Sequence, residues 1–338
     1  KYLSTIKMLA YLYFLFMLPM VLICIKLMYF CALLLLNYLL HMLLLSPSHW
    51  ADYELIDSGG FEKLERFGKY ITRRPEPKAV WAKSMSEGEW VKTAHTTFKT
   101  GAGFGKSGKE DSGQWISKPG MPDRWLVNYN YNGLKMKMRL GLTSFKHVGI
   151  FPEQAPNWNF IYDSIKSLNN KNPRVLNLFA YTGGASLAAK AAGADITHLD
   201  SVKQVVTWAR ENMELSKLDN IRWIIDDAMK FVRREVKRNS KYQGIILDPP
   251  AYGHGVDGEK WKLDDNILEM MNHCQKILEP QDSFLVLNLY SNGFSALVAD
   301  TLTNSIFKNS KQKEFGELVL EDSFGKRLPL SVFSRFKL

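Results

Sequence analysis

The sequence predicts an α/β protein: an open, doubly wound sheet that ends in a C-terminal antiparallel hairpin, preceded by a small strand-rich region. Three observations carry this. Residues 174–200 read as strand, glycine turn, helix and strand. From residue 202 onward, strand-like apolar runs alternate with helical patterns. Between residues 50 and 158, Trp81, Trp90, Trp115 and Trp125 recur among short β-like runs and turn signals.

In chain order, residues 8–45 are almost wholly apolar, broken only by Pro19, Lys26, Asn37 and His41. Two readings of residues 1–47 stand: a membrane anchor, since a span needs about 20 apolar residues, or upstream sequence foreign to the native protein. The stretch is too long for a signal peptide. Formal net charge is +10, and Lys1, Lys7 and Lys26 account for three of it, leaving a basic body. Such a body favours a polyanionic partner. Cys24, Cys31 and Cys274 form no disulfide framework, which fits a reducing compartment.

Residues 48–158 form the predicted strand-rich domain. Residues 127–131 and 134–140 flank Asn132-Gly133, a hairpin signal. The second strand alternates Lys135, Lys137 and Arg139 with apolar residues, so one face is basic and serves solvation or RNA phosphates. Residues 99–109 are glycine-rich but lack the spacing of a phosphate loop, so they read as a hairpin loop.

The α/β domain, residues 159–338, opens with a helix over 159–168. A buried strand follows over 174–180, then the turn Tyr181-Thr182-Gly183-Gly184, an alanine-rich helix over 185–192, and a strand ending at Asp200. A carboxylate at that strand end can accept hydrogen bonds from both hydroxyls of a ribose. The turn lacks the third glycine of a dinucleotide fingerprint. A helix over 202–218 and a strand over 221–225 lead to Asp226-Asp227-Ala228, where one acid is expected to cap the next helix. Its cations, from Lys230 to Lys241, form a solvated or RNA-facing surface. The strand over 242–247 ends in Asp248-Pro249-Pro250-Ala251-Tyr252-Gly253; the prolines fix the loop, Asp248 can accept from an amino group, and Tyr252 is available to stack on a base. A helix over 263–278 with Cys274 on its apolar stripe, a strand over 284–289, a helix over 295–306 and a closing pair of strands complete the domain.

Taken in order, LNLFAYTGG, LDSVKQVVTWARENMELSKL, IIDDA and ILDPPAYG resemble the successive motifs of class I S-adenosylmethionine-dependent methyltransferases. Within them, the chain is most similar to bacterial large-subunit ribosomal RNA methyltransferases of the cytosine-C5 type. The resemblance implies S-adenosylmethionine as cofactor, RNA as partner, no metal, and a cytoplasmic enzyme unless residues 1–47 anchor it. It implies cofactor contacts from Phe151, Gln154, Phe179, Tyr181, Thr182, Gly183, Gly184, Asp200, Ser201, Asp227, Ala228 and Asp248. Asp227 is expected to meet the adenine amino group, leaving Asp226 as the cap. Asp248, Pro249 and Tyr252 are the expected catalytic residues.

The cytosine-C5 label is strained at one position. Carbon-5 methylation requires a cysteine thiolate to attack the base, yet the corresponding segment reads Asn288-Leu289-Tyr290-Ser291. A nitrogen acceptor, which needs no thiol, is therefore favoured. Cytosine-C5 chemistry, a membrane-anchored methyltransferase of a non-RNA substrate, and a non-catalytic RNA-binding protein remain alternatives; oligomeric state is left open.

Overall fold

The computed structural model describes residues 26, 28, 42–48, 50–101, 112–290, 293–308 and 310–338. The chain divides into two compact units, Lys1–Leu43 and Leu44–Leu338. The reading of residues 1–47 falls largely outside the described residues, and that of residues 99–109 does so from 102 onward. Among the described residues, no helix is long and apolar enough to cross a membrane.

The second unit begins within a short strand, β1 (Leu43–Leu45). Strands β2 (Tyr53–Gly59), β3 (Glu62–Phe67), β4 (Tyr70–Pro75), β5 (Thr96–Thr100) and β6 (Gly113–Ser117) form one sheet in that order. Between β4 and β5 lies helix α1 (Glu87–Thr93), absent from the sequence expectation. Its start is nonetheless written in Ser86-Glu87-Gly88-Glu89: Ser86 accepts from the Glu89 amide while the Glu89 side chain accepts from the Ser86 amide, a capping box. The expected hairpin is present as β7 (Arg124–Tyr131) and β8 (Leu134–Gly141), turning through Asn132 and Gly133 at φ 42° and 95°. Along β8 the apolar residues are buried, and Lys135 and Lys137 are exposed.

A 3-10 turn, Pro152–Gln154, leads into helix α2 (Ala155–Ser167), which starts four residues earlier than expected, with Pro156 in its first turn. There follow β9 (Arg174–Leu178), α3 (Gly184–Ala191), β10 (Asp195–Asp200), α4 (Lys203–Leu215), β11 (Arg222–Ile225), α5 (Ala228–Lys237) and β12 (Gly244–Leu247). A two-stranded ribbon, β13 (Tyr252–His254) with β14 (Lys260–Lys262), precedes α6 (Leu263–Ile277), β15 (Phe284–Leu289), α7 (Ala296–Ile306), β16 (Lys311–Glu321) and β17 (Arg327–Lys337).

The principal sheet runs β1-β16-β17-β15-β12-β9-β10-β11. From β15 to β11 neighbours are parallel, and β17 joins β15 antiparallel as the expected closing hairpin with β16. The central parallel strands β9, β12 and β15 are buried on both faces, as their apolar runs require, whereas β11 at the edge is partly exposed. On one face Val175, Ile196, Ile246 and Val286 pack with α2, α3 and the β7–β8 hairpin; on the other, Leu178, Leu199, Leu247 and Leu287 pack with α5 and α6. Order reverses between β9 and β12, so a crevice opens beyond their carboxyl ends.

Candidate functional site

Three carboxylates stand at the carboxyl ends of the parallel strands: Asp200 closes β10, Asp227 follows β11 and Asp248 follows β12. Asp200 is held by the main chain. The amides of Tyr181 and Val202 donate to its two oxygens at 2.9 and 3.0 Å. Burial pushes its pKa up while these amides oppose the shift.

The turn that brings the Tyr181 amide there is tighter than the sequence suggests. Phe179 and Tyr181 both adopt left-handed backbone, φ 57° and 48°, so β9 ends at Leu178 and not at Ala180. Left-handed backbone costs an L-residue about 1–2 kcal/mol, and strain of this kind collects at functional turns. Gly183, at φ 93°, is the N-cap of α3. A Cβ on Gly184 would come within 2.8 Å of the Trp158 ring, so that glycine lets α3 approach α2. The Thr182 hydroxyl donates to the Gly149 carbonyl at 2.7 Å and the Thr182 carbonyl accepts from Asn212 at 2.9 Å, pinning the turn from both sides.

Asp227, not Asp226, is the cap of α5: its side chain accepts from the Lys230 amide at 2.8 Å. Asp226 instead accepts from the Asp227 amide at 2.8 Å and pairs with Arg234. The adjacent acids compete for one helix end, and the residue whose carboxylate reaches the third amide wins it. Asp227 has further acceptor capacity. It lines a small cleft with Phe179, Asp200, Ser201, Ala228 and Trp261. The rings of Phe179 and Trp261 lie 4.8 Å apart, and Ser201 donates to the His254 carbonyl at 3.0 Å, fastening the β13–β14 ribbon over this end. Two carboxylates beside two aromatic rings, tilted by 54° to each other, suit a nucleoside.

A second cleft, sharing Phe179, is lined by Phe151, Gln154, Tyr181, Thr182, Gly183, Gly184 and Asp248. The amides of Asn288 and Gln154 donate to Asp248 at 2.7 and 3.4 Å. Burial raises its pKa to about 7, opposed by the Asn288 hydrogen bond and helped by the charge of Glu153. The Phe151 ring is flanked by Tyr181 at 5.3 Å and Tyr290 at 5.2 Å.

The expected cofactor residues therefore gather around two adjoining clefts, but the catalytic trio does not stay together. Tyr252 lies on β13, 47% exposed and 3.3 Å from His254 Nε2, and lines neither cleft. Pro249 is buried, and Pro250 accepts at its carbonyl from the Trp261 indole at 2.7 Å. Asn288 and Trp261 are additions that sequence reasoning misses. Asn288 stands out in the sequence only as part of a segment lacking cysteine, and nothing near Trp261 in sequence marks it. Cys274 is fully buried on α6, its thiol pushed up to about 12 by burial. Among the described residues, no cysteine lines either cleft, and no group of three or more His, Cys, Asp or Glu is placed to hold a metal ion.

The cations of α5 are mostly engaged: Lys230 with Asp257 and Glu259, Arg233 with Glu269, Arg234 with Asp226 and Arg238 with Glu235. On β8, Arg139 pairs with Glu211 at 2.6 Å, whereas Lys135 and Lys137 have no acidic partner among the described residues.

The family model of S-adenosylmethionine-dependent methyltransferases matches residues 106–301. The chain belongs to this family. A SAM-dependent methyltransferase from Agrobacterium tumefaciens is 36% identical, with a TM-score of 0.78 over 87% of this chain and 93% of that one. SMU.776, solved in complex with SAH, is 16% identical with a TM-score of 0.64 over 86% of this chain and 76% of that one, and shares the fold. Ribosomal RNA large subunit methyltransferase K/L of Shewanella frigidimarina is 30% identical over 156 residues, 45% of this chain and 21% of the relative. The same-named protein of Pseudoalteromonas translucida is 28% identical over equal shares. The chain thus spans about a fifth of the length of the curated relatives it matches. The protein is a methyltransferase, and its cofactor is S-adenosylmethionine.

Proposed function

We propose that this methyltransferase modifies an exocyclic amino nitrogen of a base in ribosomal RNA. The observation that carries the reading is Asp248: a strand-end carboxylate between two amide donors, in a cleft that no described cysteine lines. The names of the curated relatives and the basic charge of the chain support RNA as the acceptor.

The residues present fit the cofactor. Asp200 would accept from the ribose hydroxyls on lone pairs not taken by Tyr181 and Val202. Asp227, with Phe179, Ala228 and Trp261, would hold the adenine. The amino end of α3, from Gly184 onward, would offer backbone donors to the methionine carboxylate, the Gly183 amide being engaged by the Ala180 carbonyl, with Phe151 and Gln154 near that end. Bound S-adenosylmethionine supplies an electrophilic sulfonium methyl. The protein's task is then to align an acceptor and exclude water. Asp248 would accept a hydrogen bond from the acceptor amino group, orient its lone pair, stabilise the positive charge that develops on nitrogen and take the proton that the methylated nitrogen releases. It must be ionised to do so. Residues 48–158, with Lys135 and Lys137 exposed on β8, would form the substrate-side domain that meets phosphates.

Incubating the protein with S-adenosylmethionine and unmodified ribosomal RNA transcripts, then analysing nucleosides by mass spectrometry, tests this. An N-methylated nucleoside is expected. A C5-methylated cytidine, with a covalent adduct on 5-fluorocytidine RNA, would replace the reading with thiol chemistry.

A further inference from the structure

Two amide side chains donate to Asp248, yet an amide can present either nitrogen or oxygen. For one of them, the choice is made on the last strand of the fold. Arg335, on β17, is 7% exposed, and its guanidinium can only donate. It donates to Glu314 at 2.8 Å through Nε, and through Nη1 to the Pro156 carbonyl at 2.9 Å and to Asn157 Oδ1 at 3.1 Å. Because Asn157 accepts on Oδ1, its Nδ2 faces Gln154 and donates to Oε1 at 2.9 Å. That leaves Gln154 Nε2 facing Asp248 Oδ2 at 3.4 Å. On the other side, Ser331 donates to Asn288 Oδ1 at 3.0 Å, leaving Asn288 Nδ2 for Asp248 Oδ1 at 2.7 Å. Since a hydroxyl can also accept, the Arg335 arm is the one whose direction chemistry fixes.

We infer that Arg335 and Asn157 are positioning residues: they form a one-way relay that holds Gln154 as a donor to Asp248 and so keeps Asp248 an acceptor toward the substrate amino group. This rests on the amino-nitrogen reading above. If the relay failed, Gln154 could turn its carbonyl oxygen to Asp248. Two acceptors in contact would favour the protonated carboxyl, whose O–H would be spent on Gln154 and not on catalysis. The titratable groups around Asp248 are Glu153, on the 3-10 turn, and Tyr290, just after β15, whose hydroxyl donates to Glu153 at 2.6 Å. Arg335 is the cation at the far end of the relay. Tyr290 also takes a hydrogen bond from the Gln154 amide, so it favours the same orientation of Gln154 that the relay imposes.

Asn157→Asp keeps an acceptor for Arg335 but no longer donates to Gln154. Because its new charge would by itself raise Asp248, the uncharged Asn157→Leu, which cannot donate either, must also show an upward shift. In the full chain, labelled with carbon-13 at aspartate carboxyls, the Asp248 resonance is identified by its loss in Asp248→Asn and followed with pH. Asn157→Asp is expected to titrate roughly one pH unit above wild type. Arg335→Lys, which keeps a donor, should shift it less than Arg335→Met. Turnover on unmodified ribosomal RNA transcripts should fall roughly tenfold in Arg335→Met, with the Kd for S-adenosylmethionine within about twofold of wild type by calorimetry, since Arg335 does not line the cleft as Asn157 does. If Asn157→Asp does not fold, Gln154→Met, which removes the amide, should show the same upward shift. Wild-type titration in these variants, or a loss of cofactor affinity in Arg335→Met as large as its loss of turnover, would overturn the relay. A wild-type protein that methylates no RNA would instead sink the amino-nitrogen reading, and the titration would still decide the relay.

Discussion

Asp200 and Asp248 end parallel strands on either side of β9, yet they are held in opposite ways. Asp200 is fixed by backbone amides within nineteen residues of it, those of Tyr181 and Val202. Asp248 is fixed by side-chain amides 94 and 40 residues away, those of Gln154 and Asn288. Main-chain donors belong to the turn itself and cannot rotate away. Side-chain donors can, and must be held in turn by Asn157, Arg335 and Ser331. A rigid carboxylate suits a cofactor that binds the same way at every turnover, and a tunable one suits the group that meets the acceptor.

Substitutions at the two ends should therefore differ in kind. The largest effect is expected from Asp248→Asn, which presents a donor where an acceptor is needed: kcat should fall by about 10²-fold or more in single-turnover methyl transfer. In the wild type, kcat should rise with pH through about 7, as Asp248 ionises. Because the folded pKa lies above that of the unfolded chain, Asp248 also makes stability fall as pH rises from about 4 toward 7. Asp248→Asn should accordingly raise Tm at pH 8 relative to wild type and have little effect at pH 4, measured by calorimetric melting. A loss of Tm at pH 8 would mean that the carboxylate is not desolvated.

At the cofactor end, Asp200→Ala should weaken S-adenosylmethionine by about 2–4 kcal/mol, the worth of a pair of charge-assisted hydrogen bonds removed from a buried site. Asp227→Ala should lower stability by about 1 kcal/mol through its cap as well as weakening the cofactor. Asp226→Ala, which removes no cap, should leave the denaturation midpoint closer to wild type. The smallest effect is on the substrate face: the double change Lys135→Ala and Lys137→Ala should reduce the salt-dependence slope of RNA binding by about 1 for each phosphate left without its lysine. An unchanged slope would make that face a solvated one.

The same contrast explains what the sequence reveals. The βα order, the glycine turn, Asp200 and the hairpin at Asn132-Gly133 follow from period, turn chemistry and spacing, all local. The two acids at Asp226-Asp227 are visible too. Which of them caps α5 depends on a carboxylate reaching the Lys230 amide, and the structure reverses the expected choice. Helix α1 is legible in Ser86 and Glu89 but hidden among strand signals. The left-handed Phe179 and Tyr181 carry no signal, because aromatic residues ordinarily avoid that conformation. Asn288, Trp261, Asn157 and Arg335 reach the site through tertiary contacts, and no local pattern marks them. The outward position of Tyr252 on β13, outside both clefts, is likewise not legible from its place four residues after Asp248.

Titrating S-adenosylmethionine into wild type, Asp200→Ala and Asp248→Asn by isothermal calorimetry tests the division most directly, since it needs no RNA. Asp200→Ala is expected to weaken binding by roughly 30-fold or more, while Asp248→Asn stays within about threefold of wild type. Equal weakening in both variants, or wild-type affinity in Asp200→Ala, would contradict the assignment of one carboxylate to the cofactor and the other to the acceptor.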